Sequence, residues 1–191
     1  MGTLHTEYFK IRTSEINHLK LLHPHALIQL MQEASMQHTI RMKVSVWDLE
    51  RLHSSWVLLK MQVTIHHYPT LNEDVRVETY PSGLDGYFTY RDYFMYDQND
   101  KLYATITSMW TLMNTASRKI MKIPDSFGSL VYGETNALAR PEFRLKSVDN
   151  IERTSEIQVN YYHLDWNGHV NNVQLVRLIL ESLGCISFFR K

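Results

Sequence analysis

Apolar positions recur along this chain in two rhythms, one helical and one alternating. Leu27, Leu30, Met31 and Ala34 fall at helical spacing, and Pro24 suits a first helical turn. The pattern predicts a helix from Pro24 to about Ile40, with Gln32, Glu33 and Gln37 off its apolar stripe. Before it, Tyr8 to Arg12 alternates as a first strand, and Thr13 to His23 is a polar loop with Leu19, Leu21 and Leu22 tucked inward. After it, Val57, Leu59, Met61, Val63 and Ile65 predict a strand with one wholly apolar face. Tyr68 to Asp74 is a turn region. Val75, Val77 and Thr79 then alternate with Arg76, Glu78 and Tyr80, and Pro81-Ser82-Gly83 breaks or bulges that strand. Phe88 to Tyr96 alternates, Asp97 to Asp100 is a hairpin turn, and Leu102 to about Met113 completes a long strand. One amphipathic helix followed by four long antiparallel strands predicts an α+β unit, a sheet wrapped around a helix.

Thr115 to Lys122 is polar and basic, and residues 125–153 show no clear period, as expected of a linker. Glu156 to Tyr161 is strand-like again. Val173, Val176, Leu180 and Leu183 share a helix face, with Gly184 as its natural stop. Strand, loop and apolar helix therefore occur twice. Only Cys185 to Lys191 follow the second helix, and a helix with one strand cannot bury its own apolar faces. The expectation is a truncated or frame-altered version of a longer protein.

Composition narrows the partners. Lys+Arg and Asp+Glu both number 20 in 191 residues, so formal net charge is +0. That argues against general nucleic-acid or anionic-membrane binding. No apolar run reaches the roughly 20 residues of a membrane span, and the N-terminus lacks a basic-then-apolar signal. Met1 to Thr6 fits a loose myristoylation pattern, too short to carry weight. A lone Cys185 excludes an intrachain disulfide and reads as an ordinary small apolar residue. His66-His67, and His23 and His25 flanking Pro24, show no metal-ligand spacing, so no metal or cofactor is expected. Trp47, Trp56, Trp110 and Trp166, like Met31 and Met36, read as packing residues.

The chemistry concentrates in Leu164 to Val173, where Asp165, Asn167, His169, Asn171 and Asn172 lie just before the second helix. A helix N-terminus offers unpaired N–H groups and positive potential. An Asp can orient an imidazole, and an Asn can donate to a developing oxyanion. The alternative is a turn with an N-cap, since Asp, Asn and Gly suit turns and Asn suits caps.

These stretches resemble an acyl-acyl-carrier-protein thioesterase of the bacterial type, related to the plant plastid enzymes. The resemblance rests on Leu30 to Ser35 with Gln37-His38, Trp56 to Leu58, Tyr68-Pro69-Thr70, Arg91-Asp92-Tyr93, and Ala104 to Asn114. Ser117-Arg118-Lys119, Lys122 to Asp125, Asp165 to Val173 and Ile179 to Ser182 continue it, in family order across most of residues 7–183. Asp-x-Asn-x-His-Val-Asn-Asn is the specific motif among them. The resemblance implies a tandem hotdog fold: an acyl-binding hotdog over residues 1–124, a linker over 125–153, and the start of a truncated catalytic hotdog over 154–191. It maps Asp165, Asn167 and His169 onto the family's catalytic Asp, Asn and His. The family's further Glu, and the Cys beside it in plant members, would lie beyond Lys191; Glu181 and Cys185 are neither.

The implied reaction is hydrolysis of a fatty acyl-carrier-protein thioester to free fatty acid and carrier protein, ending cytoplasmic fatty-acid synthesis. His169 would position or activate water, with Asp165 fixing its tautomer, while Asn167 and a helix N–H polarise the carbonyl. The partner would be an acidic carrier protein bearing the acyl chain on phosphopantetheine. Arg118, Lys119 and Lys122, with Arg140 and Arg144 behind them, are candidates to steer it, or else a solvated surface run. Two other readings stay open: an acyl- or carrier-binding fragment without catalysis, and a coenzyme A thioesterase on the same fold. An unpaired sheet edge would also invite homodimer formation.

Overall fold

The computed structural model describes residues 4–132, 138–140, 150–151 and 154–183; Arg144, Gly184 and Cys185 lie outside them. Strand β1 (His5–Lys10) leads to helix α1 (Pro24–Arg41) and a short helix α2 (Val46–Glu50). Four long strands follow: β2 (Ser54–Ile65), β3 (Asp74–Asp85), β4 (Phe88–Asp97) and β5 (Leu102–Asn114). A two-residue β6 (Ile120–Met121) folds back on β5, and helix α3 (Asn172–Ser182) closes the described chain. The sheet is antiparallel in the order β1-β3-β4-β5-β2.

The sheet wraps α1, as the apolar pattern predicts. Leu27, Met31 and Ala34 are fully buried against Val75, Val77, Tyr93, Met95, Ala104 and Ile106. Burying a side chain the size of Leu or Met contributes about 1.5–3 kcal/mol each, so α1 is held by its packing.

Two departures from the sequence reading have local causes. Strand β2 carries a bulge between Leu58 and Lys60, which breaks the predicted single apolar face from Val57 to Ile65. An extra residue reverses the alternation of side chains beyond it. Met61, Val63 and Ile65 therefore join the main core, Leu59 is exposed, and Trp56 packs in a second cluster with Leu49, Leu112 and Ile123. The bulge expected at Pro81-Ser82-Gly83 is present, with a register shift between Pro81 and Gly83.

The second departure is Glu156 to Tyr161, which forms no strand. Alternation makes a strand only where a neighbour supplies hydrogen bonds. Among the described residues none lies beside it, and Ile157, Val159 and Tyr161 are exposed. Helix α3 does form as expected. Val173 is buried and Val176 packs on the α1 core, but Leu175, Ile179 and Leu183 face out.

Candidate functional site

The loop before α3 is held by one carboxylate. Asp165 Oδ1 accepts the backbone N–H of Asn167 at 2.8 Å and of His169 at 3.1 Å. The Asp165 N–H donates to the His169 carbonyl at 2.8 Å, and Gly168 takes a positive φ of 73° at the tip. Glycine adopts that conformation without a Cβ penalty. Leu164 and Val170 bridge the base of the loop, and Asn171 caps α3 by accepting the Val173 N–H at 2.8 Å. The Asp165 carboxylate thus holds the backbone of His169, whereas the sequence reading has it fixing the imidazole tautomer.

A loop with the same hydrogen-bond pattern precedes α1. Asn17 Oδ1 accepts the N–H groups of Leu19 at 2.8 Å and Leu21 at 3.2 Å. The Asn17 N–H donates to the Leu21 carbonyl, Lys20 takes the positive φ, and Ile16 bridges Leu22. A single 3-10 turn stands in front of each loop, at Thr13–Glu15 and at Tyr161–His163. The scaffold is therefore repeated, and the two copies differ in what they carry. Leu19 and Leu21 stand in the first where Asn167 and His169 stand in the second.

Asp165, Asn167, Asn171 and Asn172 line one side of a cavity of about 400 Å³, within the range that holds small molecules. Gln29, Gln32, Glu33 and Met36 of α1 form another side, at the i, i+3, i+4, i+7 spacing of one helical stripe. Trp56, Leu84, Trp110, Ile123 and Phe127 make the inner wall largely apolar. His169 is exposed and is not part of this lining. Of the tryptophans read as packing residues, Trp56 and Trp110 are part-buried in the wall, while Trp166 and Trp47 are exposed at 65% and 60%.

A polar cluster is buried beside this wall. His5 and His38 stack at 5.1 Å between centroids. Arg91 Nη1 contacts His38 Nδ1 at 3.1 Å, and Arg41 Nη1 contacts His5 Nδ1 at 3.1 Å. Burial first, then the Arg91 guanidinium, pushes His38 down to about 3. Burial also lowers His5 and Arg91 and raises the Asp92 carboxyl. This cluster is not foreseen from the sequence, and Gln32 and Glu33, expected only to lie off the apolar stripe, join Gln29 in lining the cavity. Their signal is the helical spacing of polar residues next to the apolar face. Arg118, Lys119 and Lys122 are exposed on the β5–β6 hairpin, with Lys122 paired to Asp125 at 3.1 Å. Arg140 lies elsewhere, its guanidinium over the Tyr90 ring at 4.2 Å. Among the described residues no His, Cys, Asp or Glu group could hold a metal ion, and no helix is long and apolar enough to cross a membrane.

A helix wrapped by an antiparallel sheet, with a polar loop opening on an apolar cavity, defines a hotdog-fold protein. Two solved structures share that fold. The 12:0-ACP thioesterase of Umbellularia californica superposes with a TM-score of 0.84 at 22% identity, covering 96% of this chain and 76% of that one. An acyl-ACP thioesterase of Bacteroides thetaiotaomicron gives 0.84 at 21% identity, covering 93% and 72%. In sequence, the acyl-ACP thioesterase N-terminal domain matches residues 2–131, and the acyl-ACP thioesterase C-terminal domain matches residues 146–189. The chain belongs to the acyl-ACP thioesterase family. It is 28% identical to the chloroplastic oleoyl-acyl carrier protein thioesterase of Coriandrum sativum, over 95% of this chain and 54% of that protein. It is also 28% identical to the chloroplastic palmitoyl-acyl carrier protein thioesterase of Cuphea hookeriana, over 95% and 47%. The chain spans about half the length of the curated relatives it matches.

Proposed function

We propose that this chain hydrolyses a fatty acyl thioester of acyl carrier protein, releasing free fatty acid and carrier protein at the end of cytoplasmic fatty-acid synthesis. The observation carrying this reading is the cavity: Asp165 and Asn167 line one side of it, and Trp56, Leu84, Trp110, Ile123 and Phe127 give it a largely apolar wall. An alkyl chain suits such a wall, because burial of its methylenes is favourable at about 0.8 kcal/mol each. The thioester would then lie at the rim, beside the α3 N-terminus.

Hydrolysis needs water delivered to the carbonyl carbon, a proton acceptor, and donors for the oxyanion. In this reading Asp165 sets the loop, and the Asn167 amide donates to the developing oxyanion. The positive end of α3 adds to that stabilisation. His169 takes the proton of the attacking water, which requires its exposed ring to turn toward the substrate. Arg118, Lys119 and Lys122 steer the acidic carrier protein. Charge reversal by Lys119→Glu is expected to raise KM for carrier-linked substrate and leave kcat nearly unchanged; an unaltered KM would place docking elsewhere.

A second reading is an acyl-binding chain without turnover. It is favoured by the exposure of His169 and by its absence from the cavity lining. Free-acid release from a panel of acyl carrier protein thioesters, run beside matched coenzyme A thioesters, separates the readings. Catalytic release from the carrier-linked panel supports hydrolysis, and stoichiometric binding without release supports the second reading. Preference for the coenzyme A panel would reassign the substrate.

A further inference from the structure

Arg91 lines the cavity yet is only 7% exposed. Its Nη1 donates to two neutral acceptors, His38 Nδ1 at 3.1 Å and Thr79 Oγ1 at 3.2 Å. Among the described residues no ion pair includes it. The neighbouring carboxylate, Asp92, is engaged elsewhere, its Oδ2 accepting the Leu138 N–H at 2.8 Å. Behind Arg91 the contacts lead to two imidazoles and a second guanidinium. His38 is stacked on His5, and His5 is held between Arg41 and Glu7, at 3.1 and 2.9 Å. Of the residues in this chain of contacts, only Glu7 brings a negative charge, against two guanidinium groups.

A guanidinium away from water and without an anion is costly. A plain alkyl chain gains nothing from it, since the Trp56, Leu84, Ile123 and Phe127 wall serves that purpose. The arrangement makes sense if the ligand supplies the missing acceptor. Planar guanidinium donors are suited to oxygen, above all to carboxylate. We propose that Arg91 is a specificity-determining residue that receives an oxygen on the acyl chain, distal to the thioester: a hydroxyl, an oxo group or a terminal carboxylate. The inference rests on the acyl-binding reading of the cavity and adds a substrate class to it.

The test uses non-hydrolysable pantetheine amides of one medium-length acyl chain, either plain or with a terminal hydroxyl or carboxylate. The neutral amide head leaves no second anion to compete. Binding is followed through the fluorescence of Trp56 and Trp110, with calorimetry as a check. Wild type is expected to bind an oxygenated analogue about tenfold or more tightly than the plain one. Arg91→Met is expected to abolish that preference while keeping the plain analogue. Equal or tighter binding of the plain analogue by wild type overturns the proposal, whether or not Arg91→Met folds. Failure of every analogue to bind, the plain one included, overturns the acyl-cavity reading as well.

Discussion

The loop before α1 and the loop before α3 have the same backbone bonds and different side chains. Each is pinned by one Asx oxygen accepting two N–H groups, each turns through a positive φ, and each is closed by a two-residue bridge. In the first, Leu19 and Leu21 stand at the two positions whose N–H groups are held. In the second, Asn167 and His169 occupy those places. What the copies share is scaffold, and what they do not share is the candidate for function. By that measure Asp165 is a loop-setting residue, because Asn17 makes the same bonds where no reaction is expected. In the proposed function, Asn167 and His169 are the residues that this scaffold presents.

The helices behind the loops contrast in the same way. Helix α1 buries seven of its residues, whereas α3 buries Val173 and leaves Leu175 and Ile179 exposed. The largest predicted effect follows from that difference. Leu27→Ala should destabilise the fold by about 2–5 kcal/mol, read as a drop in denaturant midpoint. Leu175→Ser should change it by no more than about 0.5 kcal/mol. Equal losses would mean that α3 is packed as tightly as α1.

Acid should act next, and mainly on the α1 side. Burial holds His38 down at about 3 and, with His23 and Arg177, His25 down at about 4. Both lie below the unfolded value of about 6.5, so the unfolded chain binds more protons through that window. Their contribution to stability is complete above about pH 6.5 and falls away as pH drops toward those folded values. A denaturant midpoint that stays flat from about pH 7 to pH 5 would contradict the burial of these rings.

A smaller effect separates scaffold from chemistry directly. Asp165→Ala removes both loop bonds and should cost about 1 kcal/mol locally, the usual loss for such a side-chain acceptor. Asp165→Asn should preserve the loop, since Asn17 already does so in the first copy. Amide exchange at Asn167 and His169 would report it: fast exchange in the alanine variant alone is expected. Fast exchange in both variants would show that the charge, and not the acceptor geometry, holds the loop.

The wrapped helix and the polar loop are both legible in the amino-acid sequence. The spacing of Leu27, Leu30, Met31 and Ala34 marks the helix, because burial on one side imposes that period. The loop motif is visible because Asp165, Asn167 and His169 are chemically conspicuous. The twin loop is not, since Asn17 is one polar residue among several in a polar loop and its role lies in backbone geometry. The β2 bulge at Leu59 is equally silent, because Trp56 to Leu59 is apolar in either phase. Arg91 reads as an ordinary charged strand position, and only the packing of α1 against β3 and β4 encloses it.

The most direct test carries the first loop's residue into the second. Asn167→Leu copies what Leu19 already does on the same scaffold, so the loop should fold as before. Free-acid release from acyl carrier protein thioesters should then fall by about two to three orders of magnitude, the usual cost of losing an oxyanion donor, with denaturant midpoint unchanged. Wild-type release by Asn167→Leu would contradict the claim that the second loop carries the chemistry.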